Sequence, residues 1–316
     1  MSTKLPSLAI LTHSTDSFRR GGYLVNLMIP RWEAMGFHVV VVTDEDTFVP
    51  ADVALLHVDL SVVPDSCRRL AERYPLVLNG RVLDIRKRRF SQLLVDRHDS
   101  YSGKVIVKTD SNYGGWREFR RGVLTSPIGR LLLRHHGEDA VLQKLEWLEA
   151  RRPWRWKRLL RTSDYLVCAE RKLVPGGVWR NSNLVVQRFA AERDGNEYCC
   201  RHWVFFGNQE VSRRSLSPDP IVKVSGKLEP ISDPVPQELR AIRAQLGFDY
   251  GKFDYGIVDG EVVLYDTNRT PGAAQDPRRH AETIDILSEG IRSALEHGGR
   301  ASQVGADRRT DGEANG

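Results

Sequence analysis

Asp254, Asp266 and Asn268 are spaced so that a divalent cation could lie between them. Residues 253–258 and 261–266 are two apolar-rich runs separated only by Asp259 and Gly260, and an Asp-Gly pair between such runs predicts a tight β-hairpin. Strand periodicity puts Asp266 and Asn268 on one face, and pairing with the first strand brings Asp254 alongside them. Two carboxylates and an amide oxygen are hard donors, suited to Mg2+ or Mn2+ bridging nucleotide phosphates. Arg269 and Thr270 then lead into Pro271 and Gly272, a turn that offers N–H groups and a cation to an anion. The same spacing would equally serve an ordinary surface hairpin with an acidic end.

A second group lies earlier. The run Val105-Ile106-Val107 ends on Lys108, and a lysine there is costly to bury unless it faces an anion. Residues 109–115 are small and polar, and the stretch from Ser111 to Gly114 and Gly115 could close over phosphates with main-chain donors. Neither G-x-x-x-x-G-K-[ST] nor G-x-G-x-x-G occurs there. Further on, Leu184-Val185-Val186 runs into Gln187-Arg188-Phe189, where backbone groups beside an apolar neighbour could hold an adenine edge. Alone, that tripeptide is also a plain strand end.

The elements that would position these residues alternate. Strands are expected over 7–12, 37–43, 51–60 and 75–79, with helices over 23–35, broken by Pro30, and over 64–74. Such alternation predicts a parallel α/β unit over residues 5–82. A helix is expected over 84–97, a strand over 104–109, and basic, mostly helical chain over 116–160. Strands follow over 164–168, 183–189 and 197–206, the last turning at Gly207-Asn208 into 209–215. Helices over 236–246 and 281–295 flank the acidic hairpin, and residues 298–316, polar and rich in Gly and Ala, are expected to be disordered.

The 316 residues are 41% hydrophobic and 28% charged, a folded-protein composition, and the net charge is +6. No apolar run approaches the roughly 20 residues of a membrane span, and the N-terminal apolar run is too short for a signal peptide, so a cytoplasmic protein is expected. Cys67, Cys168, Cys199 and Cys200 fit neither a zinc spacing nor a disulfide scaffold. The basic clusters include RRPWRWKRLLR at 151–161, but no nucleic-acid motif accompanies them, and a face that handles a polyanionic nucleotide accounts for the charge as well.

The order of VIVKTDSNYGG, NLVVQRF and FDYGIVDGEVVLYDTNRTPG resembles the ATP-grasp superfamily, in particular carboxylate–amine ligases of the glutathione synthetase and ribosomal-protein glutamate ligase type. The resemblance spans residues 5 to 295. It implies an α/β and α+β chain: a Rossmann-like pre-grasp domain over 1–82, then a two-lobed ATP-grasp fold with an N-lobe over 83–182, carrying the basic helical insertion, and a C-lobe over 183–297. It implies that Lys87 and Lys108 reach ATP phosphates, that Ser111 to Gly115 cover them, and that Gln187, Arg188 and Phe189 form the adenine hinge. It gives Asp254, Asp266 and Asn268 to the metal, and as catalytic residues Arg201 near the transferred phosphoryl group and Arg269 as the basic residue beside the metal ligands.

The chain departs from the family pattern in carrying Asp266 where Glu is usual, Gln187-Arg188 at the hinge, and few glycines in the loop. The chemistry implied is ATP-dependent activation of a carboxylate as an acylphosphate for attack by an amine. Small-molecule or peptide acids and amines would be the substrates. A kinase on the same fold, or a nucleotide-binding accessory protein without turnover, would use the same residues. For the acceptor, strand-end logic singles out the loop from His13 to Asp16, on through Arg19, Arg20, Gly21 and Gly22, together with His57 and Asp59. His57 is equally a core histidine by its alternation.

Overall fold

In the computed structural model, residues 6–20, 22–44, 46–222, 228–273 and 281–310 are described, without the side chains of Arg19 and of 297–310. Gly21, in the loop expected to meet the acceptor, and residues 311–316 of the expected tail lie outside the described residues.

The first unit is a four-stranded parallel sheet in the order β2-β1-β3-β4, formed by β1 (Ser7–Thr12), β2 (His38–Thr43), β3 (Val53–Leu56) and β4 (Val77–Leu78). Alternation along β1 divides its side chains between two cores. Leu8 and Ile10 pack with Leu24, Val25, Met28 and Trp32 of α1 (Leu24–Ala34), whereas Ala9 and Leu11 pack with Cys67 and Leu70 of α2 (Asp65–Ala71). Pro30 lies inside α1 without ending it, contrary to the expected break.

The expected helix over 84–97 shrinks to α3 (Lys87–Phe90). The backbone beyond it is drawn alongside a strand instead: Val95 N donates to Val186 O at 2.9 Å, and Leu93 O accepts from Arg188 N at 2.7 Å. These bonds extend a three-stranded antiparallel sheet, β6-β5-β7, of β5 (Val105–Thr109), β6 (Leu166–Cys168) and β7 (Leu184–Arg188). Between β5 and β6 run α4 (Trp116–Thr125), α5 (Pro127–His136) and α6 (Glu138–Ala150), the expected helical insertion.

The last unit is an antiparallel sheet in the order β11-β10-β9-β12-β13, with β8 also pairing with β9. It comprises β8 (Glu192–Asp194), β9 (Glu197–Phe206), β10 (Gln209–Ser217), β11 (Leu228–Pro230), β12 (Tyr250–Val258) and β13 (Glu261–Asn268). α7 (Gln237–Leu246) covers the face carrying Trp203, Phe205 and Phe253. α8 (Ala281–Thr310) packs Ile284, Leu287 and Ile291 against the first unit. It continues through residues 298–310, where disorder was expected, and no proline in that stretch stops it.

Two buried polar residues join the first unit to the last. Asn79, at φ 58°, donates to Tyr250 O and accepts from the backbone N–H groups of Asp249 and Tyr250. Arg269, wholly buried, donates to the carbonyls of Val58, Leu60 and Val82.

Candidate active site

A cavity of about 240 Å³ opens between the three-stranded and the antiparallel sheet. Strand alternation explains its wall. Val105 and Val107 of β5 face the core, so Ile106 and Lys108 face the cavity. On β12 and β13, Asp254 lies directly opposite Asp266, and both line the cavity, as the Asp-Gly hairpin predicts. Lys87 at the start of α3 completes the charged end. Leu93, Phe189, Ala190, Ala191 and Ile221 supply apolar lining.

The charges are closely matched. Lys87, only 2% exposed, has its Nζ 3.5 Å from Asp266 Oδ1 and also donates to Ser111 O and Asn112 Oδ1. Burial, the largest influence, opposes its charge, but Asp266 together with Tyr165 and Asp110 raises the ammonium above its usual range. Among the described residues Lys108 has no such partner. Burial, reinforced by the Lys87 charge, pulls it down to about 8. Asp254 Oδ1 receives His202 Nδ1 at 2.6 Å and Lys252 Nζ at 2.9 Å. Burial would raise its pKa, yet Lys252 and His202 hold the carboxyl well below the carboxylate range. The cavity therefore presents two ionised or ionisable ammonium groups facing two carboxylates, beside an apolar slot.

Not every expected residue reaches this wall. Asn268 shares the face of Asp266 but its Oδ1 accepts from Thr270 N at 2.8 Å, closing the turn. Arg188 and Phe189 line the cavity, whereas Gln187 is buried behind it, donating to Ser91 Oγ at 2.7 Å. The segment from Ser111 to Gly115 is no free flap. Asn112 is pinned by Ser61 Oγ and Thr267 O, and Gly114 and Gly115 adopt φ of 62° and 80°. A Cβ on either glycine would lie 2.4 Å from Leu160 O or 2.5 Å from Arg158 O, so their role is close backbone approach.

Two arginines are corrections to the expected catalytic set. Arg201 lies on the opposite face of β9 from His202, and its guanidinium holds Glu192 in a bidentate pair, Nη2 to Oε1 at 2.7 Å and Nε to Oε2 at 3.0 Å. Arg269 is the buried joint described above, and its donors are spent on carbonyls. The residues that do meet Asp254 are His202, from the neighbouring strand β9, and Lys252, from β12 itself, which the sequence reading passed over. Lys252 stands two positions before Asp254, so alternation alone would have put it on the same face. Cys200, His202 and Asp254 also place their donor atoms within 4.8 Å of one another, a grouping invisible to cysteine spacing because it spans two strands.

Beyond β1 and β3 of the first sheet, His13, Asp16 and Asp59 of the expected acceptor loops come together. His57 does not join them. It is wholly buried among Phe18, Tyr23 and Tyr250, and burial pulls its pKa down to about 3, so it is a neutral core residue.

No known family profile matches the sequence, and no curated protein matches it. The structure is similar to proteins of the ATP-grasp fold along most of its length. One is a RimK-domain ATP-grasp protein from Sphaerobacter thermophilus (12% identity, TM-score 0.49, covering 92% of this chain and 99% of that one). Another is D-alanyl-alanine synthetase A from Vibrio cholerae (10%, 0.49, 93% and 98%). A third is a RiPP-associated ATP-grasp ligase from Chryseobacterium gregarium, solved with ADP and a leader and core peptide (11%, 0.46, 90% and 97%). Likeness this remote concerns the fold and assigns no residue a role. No helix among the described residues is long and apolar enough to cross a membrane.

Proposed function

We propose that the chain is an ATP-dependent ligase that activates a carboxylate as an acylphosphate for attack by an amine. The observation that carries this is the convergence of Lys87, Lys108, Asp254 and Asp266 on one cavity that apolar side chains also line. ATP with Mg2+ would supply the phosphoryl group and the charge neutralisation that its transfer needs. Asp254 and Asp266 fit the cation: both are oxygen donors on adjacent strands, and Lys87 and Lys252 already balance their charge. Lys87 and Lys108 would bind the phosphates, and Leu93, Ile106 and Phe189 would receive the base. Residues 1–82 then form the pre-grasp unit, 83–182 the N-lobe and 183–297 the C-lobe of the clasp.

Release of ADP tests the reading. Incubated with Mg2+, ATP and pools of carboxylic acids, with and without amines, the protein is expected to release ADP only when both an acid and an amine are supplied. Release without an amine would make it a kinase, and no nucleotide binding at all would contradict the reading.

A further inference from the structure

The first sheet carries a second cluster of ionisable groups, far in sequence from the hairpin. In the order β2-β1-β3-β4, the chain leaves β1 and β3 in opposite directions, and a ligand-binding crevice is expected where such connections part. His13 and Asp16 follow β1, and Asp59 follows β3. All three are buried against one another: His13 Nε2 lies 2.6 Å from Asp59 Oδ1 and 3.9 Å from Asp16 Oδ2.

The bonding there is incomplete. Tyr23 OH lies 2.9 Å from Asp16 Oδ1 and 2.7 Å from Asp59 Oδ2, but its single proton serves one of them at a time. Asp59 has further partners in His13 and Arg117, the latter at 3.2 Å. Asp16 has only the 3.9 Å contact with His13 besides, and its Oδ2 has no hydrogen-bond donor among the described residues although the side chain is 1% exposed. A buried carboxylate oxygen left without a donor asks for a bound water or ion. Asp16 and His13 both line a cavity of about 440 Å³ that gives an ion access, with Arg120 and Glu138 paired at 2.6 Å on its wall.

We propose that His13, Asp16 and Asp59 form a binding site for a divalent transition-metal ion such as Zn2+, separate from the nucleotide cavity. An imidazole and two carboxylates, with donor atoms within 4.8 Å of one another, are the mixed nitrogen and oxygen set that Zn2+ prefers over the all-oxygen set of Mg2+ or Ca2+. The ion takes the place of the proton between His13 Nε2 and Asp59 Oδ1 and satisfies Asp16 Oδ2. Thr15 Oγ1, 2.9 Å from His13 Nδ1, accommodates the change, since a hydroxyl donates to the ring in one tautomer and accepts from it in the other. Arg117 stays on Asp59 Oδ2 and offsets the charge of the second carboxylate.

The test uses untagged, full-length, chelator-treated protein without nucleotide, titrated with Zn2+. Wild type is expected to retain one Zn2+ per chain through gel filtration. Asp16→Asn is expected to weaken retention by about tenfold or more, and Asp254→Asn to leave it unchanged. Failure of wild type to retain Zn2+, or full retention by Asp16→Asn, would overturn the site. Should Asp16→Asn not fold, the zinc absorption edge of wild type at one equivalent decides. Nitrogen and oxygen scatterers alone, at about 2.0–2.2 Å, support the site. A sulfur scatterer near ~2.3 Å would put the ion at Cys200 and overturn it.

Discussion

The ammonium of Lys87 lies 3.5 Å from the carboxylate of Asp266, although the lysine leads α3 and the aspartate ends β13, far apart in the chain. This contact ties α3 to β13, and both residues line the cavity. Lys87→Met is therefore expected to remove a phosphate-binding charge and leave Asp266 without its partner. ADP formation should fall by roughly 100-fold or more, the usual cost of losing one preorganised charge at a reacting phosphoryl group. Circular dichroism would show the variant folded.

Lys108 gives the site a pH signature. Its pKa in the free protein is about 8 because burial and Lys87 both disfavour the charge. A bound polyphosphate favours the charged form and raises it. Below about pH 8 the ammonium is present with or without ligand, so affinity should be flat. Above it, binding must take up a proton, and ATP affinity should fall by up to about tenfold per pH unit. Calorimetric titrations from pH 6.5 to 9.5 check this. Lys108→Arg, which stays charged, is expected to abolish the fall.

The two arginines outside the cavity should behave differently from the lysines and from each other. Arg201→Met loses a pair with Glu192 on the far face of β9 and should leave ATP affinity within about twofold, whereas a phosphate-contacting residue would cost far more. Arg269→Met strands three buried carbonyls, and urea unfolding should show a loss of about 3 kcal/mol or more.

The contrast between these arginines and His202 marks where sequence reading stops. The hairpin, the lysine at the end of β5 and the strand before Phe189 are local signals, and each places its residue by alternation within one strand. Arg201 and His202 differ by one position, and one position in a strand reverses the face. Only the register of β9 against β12, which pairs His202 with Asp254, decides which of them meets that carboxylate. Arg269 misled for a related reason. A cation after two metal-type ligands suggests an anion, but the carbonyls of Val58, Leu60 and Val82 come from another unit. The segment from Ser111 to Gly115 is flexible by composition and rigid in place, because Asn112 and the backbone of 158–160 hold it.

The central claim is that Asp254 and Asp266 with Lys87 and Lys108 bind a metal–nucleotide complex. Calorimetric titration of the full-length protein with ATP, in the presence and absence of Mg2+, tests it most directly when repeated on Asp266→Asn. The account predicts Mg2+-dependent ATP binding by wild type and a loss of the Mg2+ dependence in the variant. Equal, Mg2+-dependent binding by both proteins, or no ATP binding by wild type, would contradict it.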